Sequence, residues 1–207
     1  MMLATDFCAL IGIDLVICAL FLRAISWFKP APHARRAPMW AVCISVALLM
    51  GLWLPWGEAG LPLLALARGV LSDFSVTSVF LSLLWMGEIL GVTTAVRRTE
   101  QQVTFVVLAA GAALLYPTAL GFGDWDAYRL GWGSPDLLVG LSVLAVSSLW
   151  SGWRRLPLLI SAALIAWNVG LLESGNLWDY LIDPWLACVA IAASIRSGLG
   201  LLRQPTA

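Results

Sequence analysis

Charge is scarce in this sequence. Only 12% of its 207 residues are Asp, Glu, Lys or Arg, whereas soluble domains carry roughly 25%. Histidine occurs once, at His33, and lysine occurs once, at Lys29. His33 lies in the short basic stretch KPAPHARRAP, so membrane haem sites with paired histidines and serine–histidine hydrolases both lack the residues that they need.

Cysteine is also too sparse to suggest chemistry. The four cysteines stand singly and form no C-x-x-C motif, so the sequence indicates neither a zinc site nor a redox pair. It contains no P-loop and no long basic tail. We therefore predict no metal, no cofactor and no nucleic-acid partner.

Apolar residues dominate instead. They make up 61% of the chain, and the mean hydropathy is +0.90. Apolar runs of about 18 or more residues predict membrane-spanning helices, because about 20 helical residues cross the hydrocarbon core. The runs show no period-2 alternation, which favours helices over a barrel. We predict an all-α, polytopic integral membrane bundle in a single domain, with about seven spans at 7–28, 39–56, 74–96, 103–122, 137–153, 156–172 and 181–201.

The basic residues predict the orientation. They cluster at alternate joints between the spans, and positive charge is retained in the cytoplasm, so the N-terminus is expected outside and the C-terminus inside. The start MMLATDF lacks a basic n-region, so we expect span one to be retained. A further apolar stretch, 61–72, is too short to cross and predicts an interfacial or re-entrant helix, with Arg68 reaching the headgroups. The residues assigned to the inner side are Arg23, Lys29, Arg35, Arg36, Arg97, Arg98, Arg154, Arg155, Arg196 and Arg203.

Two short motifs in the segment between the fourth and fifth predicted spans resemble catalytic or metal-binding motifs. Gly121-Phe122-Gly123-Asp124 resembles the G-x-G-D motif of aspartyl intramembrane proteases, including prepilin peptidases, which implies a second catalytic aspartate. Asp14 is the only deeply placed one, and no second motif surrounds it. Asp124-Trp125-Asp126 resembles the D-x-D site of many glycosyltransferases, which implies Mg²⁺ and sugar-phosphate binding. Because this segment is predicted outside and Arg129 can offset the acids, we expect a turn at the outer boundary rather than catalysis.

Three outer loops combine carboxylates, aromatics and Gly or Pro, whereas the inner joints are short and basic. If the protein recognises something, we expect it at the outer face. The outer-loop binding candidates are Glu58, Asp124, Trp125, Asp126, Arg129, Asp136, Glu173, Trp178, Asp179 and Asp183.

Charges within the predicted spans form a second set of candidates: Asp14, Glu88, Arg23 and Arg196. Ionisable groups at such depth are rare, so each one is by default a candidate functional residue. Glu88 can pair with Arg23 or Arg196 in a purely structural role, whereas Asp14 has no obvious partner in the sequence.

The leading hypothesis is a non-enzymatic accessory or scaffold subunit of a bacterial inner membrane. It would present its acidic, Trp-rich outer loops to an envelope protein or to membrane lipid. One alternative is a small transporter or lipid flippase that uses Asp14 and Glu88. Another is a membrane enzyme that acts on a lipid or lipid-linked substrate at the outer face.

Overall fold

The computed structural model describes residues 4–28, 38–57 and 60–202. The regular secondary structure of these residues is helical apart from one two-stranded hairpin, which confirms the all-α class. The described residues group into two compact units. Unit 1 contains residues up to 95 together with 170–173, and unit 2 contains 96–169 together with the residues from 174 onward.

Unit 1 is built around its first helix, α1 (Ala4–Phe28). The following elements are α2 (Met39–Gly51), the paired strands β1 (Pro55–Trp56) and β2 (Leu61–Pro62), α3 (Leu63–Leu71) and α4 (Val76–Ile89). Leu10, Ile13 and Leu64 join α1 to α3 in one buried cluster. Cys18, Leu22, Ala41 and Met86 join α1 to α2 and α4 in another.

Unit 2 consists of four longer helices and two short elements. They are α5 (Arg98–Ala119), a 3₁₀ turn (Ala127–Gly131), α6 (Pro135–Trp150), α7 (Arg155–Asn168), α8 (Leu177–Leu181) and α9 (Pro184–Leu202). Helix α5 packs against α9 and α7, and its buried side chains recur at helical spacing, as expected for a core-facing stripe. Those on α5 are Thr104, Phe105, Leu108, Ala112 and Leu115.

Polar side chains set where several helices begin. Ser75, Ser134 and Asn176 each accept a hydrogen bond from a backbone N–H in the first turn of the helix that follows. Asp183 does the same for α9, by accepting from the Leu186 N–H at 2.8 Å. These caps satisfy donors that have no partner within the helix.

The seventh predicted span, 181–201, begins too early. The chain is extended at Ile182 and enters α9 at Pro184, a residue favoured in the first helical turn because its ring fixes φ and it has no N–H to satisfy.

Several other predicted spans are too long at their C-terminal ends. The span predicted over 74–96 ends as a helix at Ile89, because Gly91 adopts a positive φ of 69°. The Val92 N–H then bonds the Gly87 carbonyl at 2.8 Å and the Gly91 N–H bonds the Glu88 carbonyl at 3.3 Å, which is the Schellman arrangement that closes a helix. The same arrangement follows α5 at Gly121 and α6 at Gly152.

The second predicted span, 39–56, is also wrong at its end. Helix α2 stops at Gly51, and Pro55 and Trp56 pair with Leu61 and Pro62 in the hairpin. A helix is observed within the stretch 61–72, as α3, which is shortened at its start by that pairing; its interfacial location stays a prediction.

Two helices are long and apolar enough to cross a membrane: Ala4–Ser26 and Arg98–Ala119. Helices α2, α4, α6 and α7 are apolar but only 13 to 16 residues long. Membrane-spanning candidates in the described residues are therefore these two, and the arrangement of seven spans is not confirmed.

Candidate functional site

The most highly organised polar region lies in unit 2, where the predicted outer loops meet. We call residues 121–136 and 174–183 the polar cap. Its two parts contain the 3₁₀ turn and α8, which pack together. The 3₁₀ turn begins where Asp126 accepts a hydrogen bond from the Tyr128 N–H at 2.9 Å, and Thr118 of α5 accepts one from the Ala127 N–H at 3.1 Å.

Asn176 is the central link of the polar cap. Its side chain is fully buried. Its Nδ2 donates to the Tyr128 carbonyl at 2.9 Å, while its Oδ1 accepts from the Trp178 N–H at 2.9 Å. The Trp178 indole donates to the Ala127 carbonyl, also at 2.9 Å. A buried polar side chain that uses both its donor and its acceptor in this way stabilises one loop arrangement instead of destabilising the core.

Asp179 receives two further hydrogen bonds. The Tyr128 hydroxyl donates to Asp179 Oδ2 at 2.9 Å, and the Ser174 hydroxyl donates to the same oxygen. Burial and the hydrogen bond to this carboxylate raise the pKa of Tyr128 to about 12, because both favour the neutral phenol over the phenolate. The Tyr128 hydroxyl is therefore a donor throughout the physiological pH range.

Glycine permits the closest approach within the polar cap. A Cβ atom on Gly131 would come within 2.6 Å of Asn176 Cγ and 2.7 Å of Trp178 Cδ1. Only a residue without a side chain fits between these buried groups.

The predicted outer residues divide into exposed and structural groups. Asp124, Trp125, Arg129 and Asp136 are exposed, with Trp125 51% exposed. Asp126, Trp178, Asp179 and Asp183 take part in hydrogen bonds or helix capping. The expectation that Arg129 organises the turn is wrong, because it forms no ion pair with Asp124 or Asp126. Glu58 lies outside the described residues.

Arg68 is the centre of a separate charged cluster, in unit 1. It bonds Asp6 and Asp73 at 2.6 Å each and Glu173 at 3.0 Å. The hydrogen bonds to Asp73 and Asp6 raise the pKa of Arg68 above its usual value. The expectation that Arg68 reaches the headgroups stays a prediction. It joins α1, α3 and the segment at 170–173 through their carboxylates.

Asp14 has a partner that the sequence did not reveal. It is 3% exposed, and its Oδ2 accepts a hydrogen bond from the Trp53 indole at 2.9 Å. Trp53 also packs on Phe7, with ring centroids 5.3 Å apart. The other carboxylate oxygen, Oδ1, forms no hydrogen bond to any residue that the structure describes.

The other three intramembrane candidates are more accessible. Arg23 is exposed, and its guanidinium lies 5.6 Å from the centre of the Trp85 ring, within the range of a cation–π contact. Glu88 is half-buried in the last turn of α4. Arg196 is exposed in a groove of unit 2. Asp14 is thus the one buried residue of this set.

Sequence reasoning missed the role of Glu100. Its Oε1 accepts hydrogen bonds from the backbone N–H groups of Arg154 and Arg155, both at 2.6 Å. These are the first donors of α7, whose N-cap side chain forms no capping bond. The N-cap position of α7 holds Arg154 and not Ser, Thr, Asp or Asn. This feature of the sequence could have indicated that the cap comes from elsewhere in the chain.

The chain matches no protein-family model, no curated protein and no solved structure.

Proposed function

We propose that the chain is an integral membrane protein of about seven spans, with its N-terminus outside and its C-terminus in the cytoplasm of a bacterial cell. In this proposal it is a non-enzymatic accessory or scaffold subunit. The polar cap faces outward and presents an aromatic surface to an envelope protein or to membrane lipid.

The hydrogen bonds within the polar cap are the observation that carries this proposal. Asp126, Asp179 and Asp183 are engaged in holding turns and helix starts in place. The exposed groups at the same surface include aromatic side chains, with Trp125 51% and Trp132 64% exposed. Indole rings prefer the membrane–water boundary and are also common anchors at protein interfaces. A preformed surface of this kind suits binding better than proton transfer.

Charge distribution within unit 2 supports the orientation. Glu100 joins the start of α5 to the start of α7, so Arg97, Arg98, Arg154 and Arg155 lie at one end of this unit. The polar cap, with its aspartates, follows the opposite end of α5. The basic end then faces the cytoplasm, where positive charge is retained.

An exposed apolar face on α6 supports a lipid environment. Val139, Val143 and Val146 are each about 60% exposed, and Trp150 is 92% exposed. Their spacing of four, three and four residues places them on one side of the helix. Soluble proteins rarely expose contiguous apolar surface of this extent, whereas acyl chains cover it at no cost.

The short helices require the bilayer to adapt. At about 1.5 Å per residue, the 16 residues of α6 extend about 24 Å, against a hydrocarbon thickness of about 30 Å. Local thinning and snorkelling flanking residues accommodate such a mismatch at a modest energetic cost.

In-cell photocrosslinking tests the scaffold proposal. A photoreactive residue replaces Trp125 or Trp132, and a matched control replaces Val143 on the exposed face of α6. We expect one discrete protein adduct, or a phospholipid adduct of defined mass, at the polar cap. A protein adduct should be absent at Val143, and it should weaken when Gly131→Ala distorts the polar cap. Crosslinks from Trp125 only to cytoplasmic proteins would contradict the proposal.

Asp14 favours one second candidate, a small transporter or lipid flippase. A buried carboxylate within an apolar helix, with one oxygen that no described residue hydrogen-bonds, is a typical ion or proton site. Reconstituted protein should show no proton flux into dye-loaded vesicles if it is only a scaffold. Flux that Asp14→Asn abolishes, in a variant whose unfolding temperature is preserved, would favour the transporter.

A further inference from the structure

A groove in unit 2 lies between α5 and α9 and is lined largely by polar side chains. It has a volume of about 290 Å³. Arg98, Gln101 and Gln102 line it from α5, and Arg196 and Ser197 line it from α9. The groove thus contains two guanidinium groups, two amides and a hydroxyl, and no carboxylate.

The polar side chains of this groove have no partner among the residues that the structure describes. Among the described residues, neither arginine forms an ion pair, and neither glutamine side chain forms a hydrogen bond. The nearest acid along α5, Glu100, is engaged with the backbone N–H groups of Arg154 and Arg155. Two uncompensated positive charges that face one another across a groove attract an anion.

The start of α5 adds to the positive potential. Arg98 is its first residue, and the preceding Arg97 provides no side-chain cap. The first backbone N–H groups of a helix point outward without intrahelical partners, and the helix dipole places partial positive charge there. Phosphate groups bind well where these donors and arginine side chains converge.

The groove is polar at one end and apolar farther along α5. Phe105 lies two turns beyond Arg98 and also lines it, on the way towards the apolar middle of the helix. A ligand with a phosphate head and a hydrocarbon tail matches this change of character, whereas a free phosphate uses only the polar end.

We propose that this groove binds the phosphate of an anionic phospholipid, through Arg98 and Arg196 with Gln101, Gln102 and Ser197 as neutral donors. This inference rests on the proposed membrane function, in which the groove opens at the cytoplasmic surface. Basic pockets between membrane helices on that side bind the headgroups of anionic lipids.

Native mass spectrometry of the full chain in neutral detergent tests the groove. The protein is titrated with dioctanoyl-phosphatidylglycerol, with dioctanoyl-phosphatidylcholine, and with inorganic phosphate. We expect one phosphatidylglycerol to bind tightly and phosphatidylcholine to bind at least about tenfold more weakly. Arginine at a membrane surface contributes about fivefold in affinity for anionic lipid, so Arg98→Gln and Arg196→Gln should each weaken binding about fivefold, and the double variant about 25-fold.

A charge-matched control separates the groove from general attraction. Arg129→Gln combined with Arg154→Gln also removes two exposed arginines, and it should change the affinity less than twofold. Equal losses in the two double variants, or no loss in the groove variant, would overturn the proposal. If Arg98→Gln fails to fold, Arg196→Gln alone decides, because its side chain is exposed.

The three titrants also distinguish the source of the phosphate. Inorganic phosphate that binds as tightly as phosphatidylglycerol, with the same loss in the groove variants, would overturn the lipid assignment and leave a phosphate site. Binding in detergent does not depend on which side the groove faces. Photocrosslinking can therefore contradict the scaffold proposal while the groove still binds lipid, and the reverse also holds, so the failures of the two proposals are distinguishable.

Discussion

Replacing Gly131 with alanine should disrupt the polar cap. The new Cβ atom would come within 2.6 Å of Asn176 Cγ and 2.7 Å of Trp178 Cδ1. Both neighbours are buried and hydrogen-bonded, so neither can move away without losing contacts. Contacts this short do not persist in folded proteins, and one of these groups must be displaced.

The expected loss of stability has two parts. Inserting a methyl group into a well-packed site costs about 1–3 kcal/mol. Displacing Asn176 also breaks its two hydrogen bonds at 2.9 Å, and each buried group left without a partner costs about 1–3 kcal/mol. We therefore expect Gly131→Ala to lower the free energy of unfolding by at least about 3 kcal/mol.

Thermal unfolding in detergent, followed by tryptophan fluorescence, measures this effect. Gly140→Ala is the matched control, because Gly140 lies within α6 and its Cβ would meet nothing within 4 Å. The control should be neutral or slightly stabilising, since alanine favours the helix by up to about 1 kcal/mol.

A second comparison tests the cause of the loss. In an Asn176→Ala background, Gly131→Ala should be less costly, because the main clashing group is absent. An unfolding temperature for Gly131→Ala equal to that of the wild type, or an undiminished cost in the Asn176→Ala background, would refute the reasoning.

Three further predictions use the same unfolding assay. The pKa of Tyr128 is about 12 in the folded protein and its ordinary value is 10, so the contribution of Tyr128 to stability is complete below about pH 10 and is lost as the pH rises towards 12. Over this range the wild type should lose stability faster than Tyr128→Phe. Parallel pH profiles of the two proteins would contradict this. Arg68→Gln leaves three partly exposed carboxylates without their ion-pair partner and should cost about 1–3 kcal/mol, while Arg129→Gln should cost less than about 0.5 kcal/mol. Equal effects would contradict the cluster's role. Glu100→Gln keeps a hydrogen-bond acceptor but loses the negative charge at two hydrogen bonds of 2.6 Å. It should lower the free energy of unfolding by about 1–2 kcal/mol, and Glu100→Ala should lower it further. Unchanged stability in both variants would contradict the capping role of Glu100.

Local signals along the chain predicted much of the helical structure. Hydropathy located α1 and α5 within a few residues, because both are long apolar helices. The ends of the shorter helices were missed, although Gly91 after α4 and Gly152 after α6 carry the usual mark of a helix stop. The apolar composition of a long stretch predicted where each span ends, whereas the single glycine after the helix marks the observed helix end more accurately.

Contacts between distant residues were beyond sequence reasoning. Arg68 and Glu173 are 105 residues apart, and Asp14 and Trp53 are 39 apart. No local pattern marks either pair, since the contacts depend on how the helices pack. The outer-loop candidates stay a prediction as binding residues, and their spacing could not show that Asp179 is a hydrogen-bonding partner and Asp124 an exposed acid.

Reporter fusions test the central claim most directly, namely that the polar cap and the basic end of unit 2 lie on opposite sides of a membrane. A reporter active only in the cytoplasm and one active only outside are fused after residue 98, after residue 130 and at the C-terminus. The account predicts cytoplasmic signal after residue 98 and at the C-terminus, and external signal after residue 130. Cytoplasmic signal after residue 130 would contradict the orientation of the polar cap, and with it the proposed function.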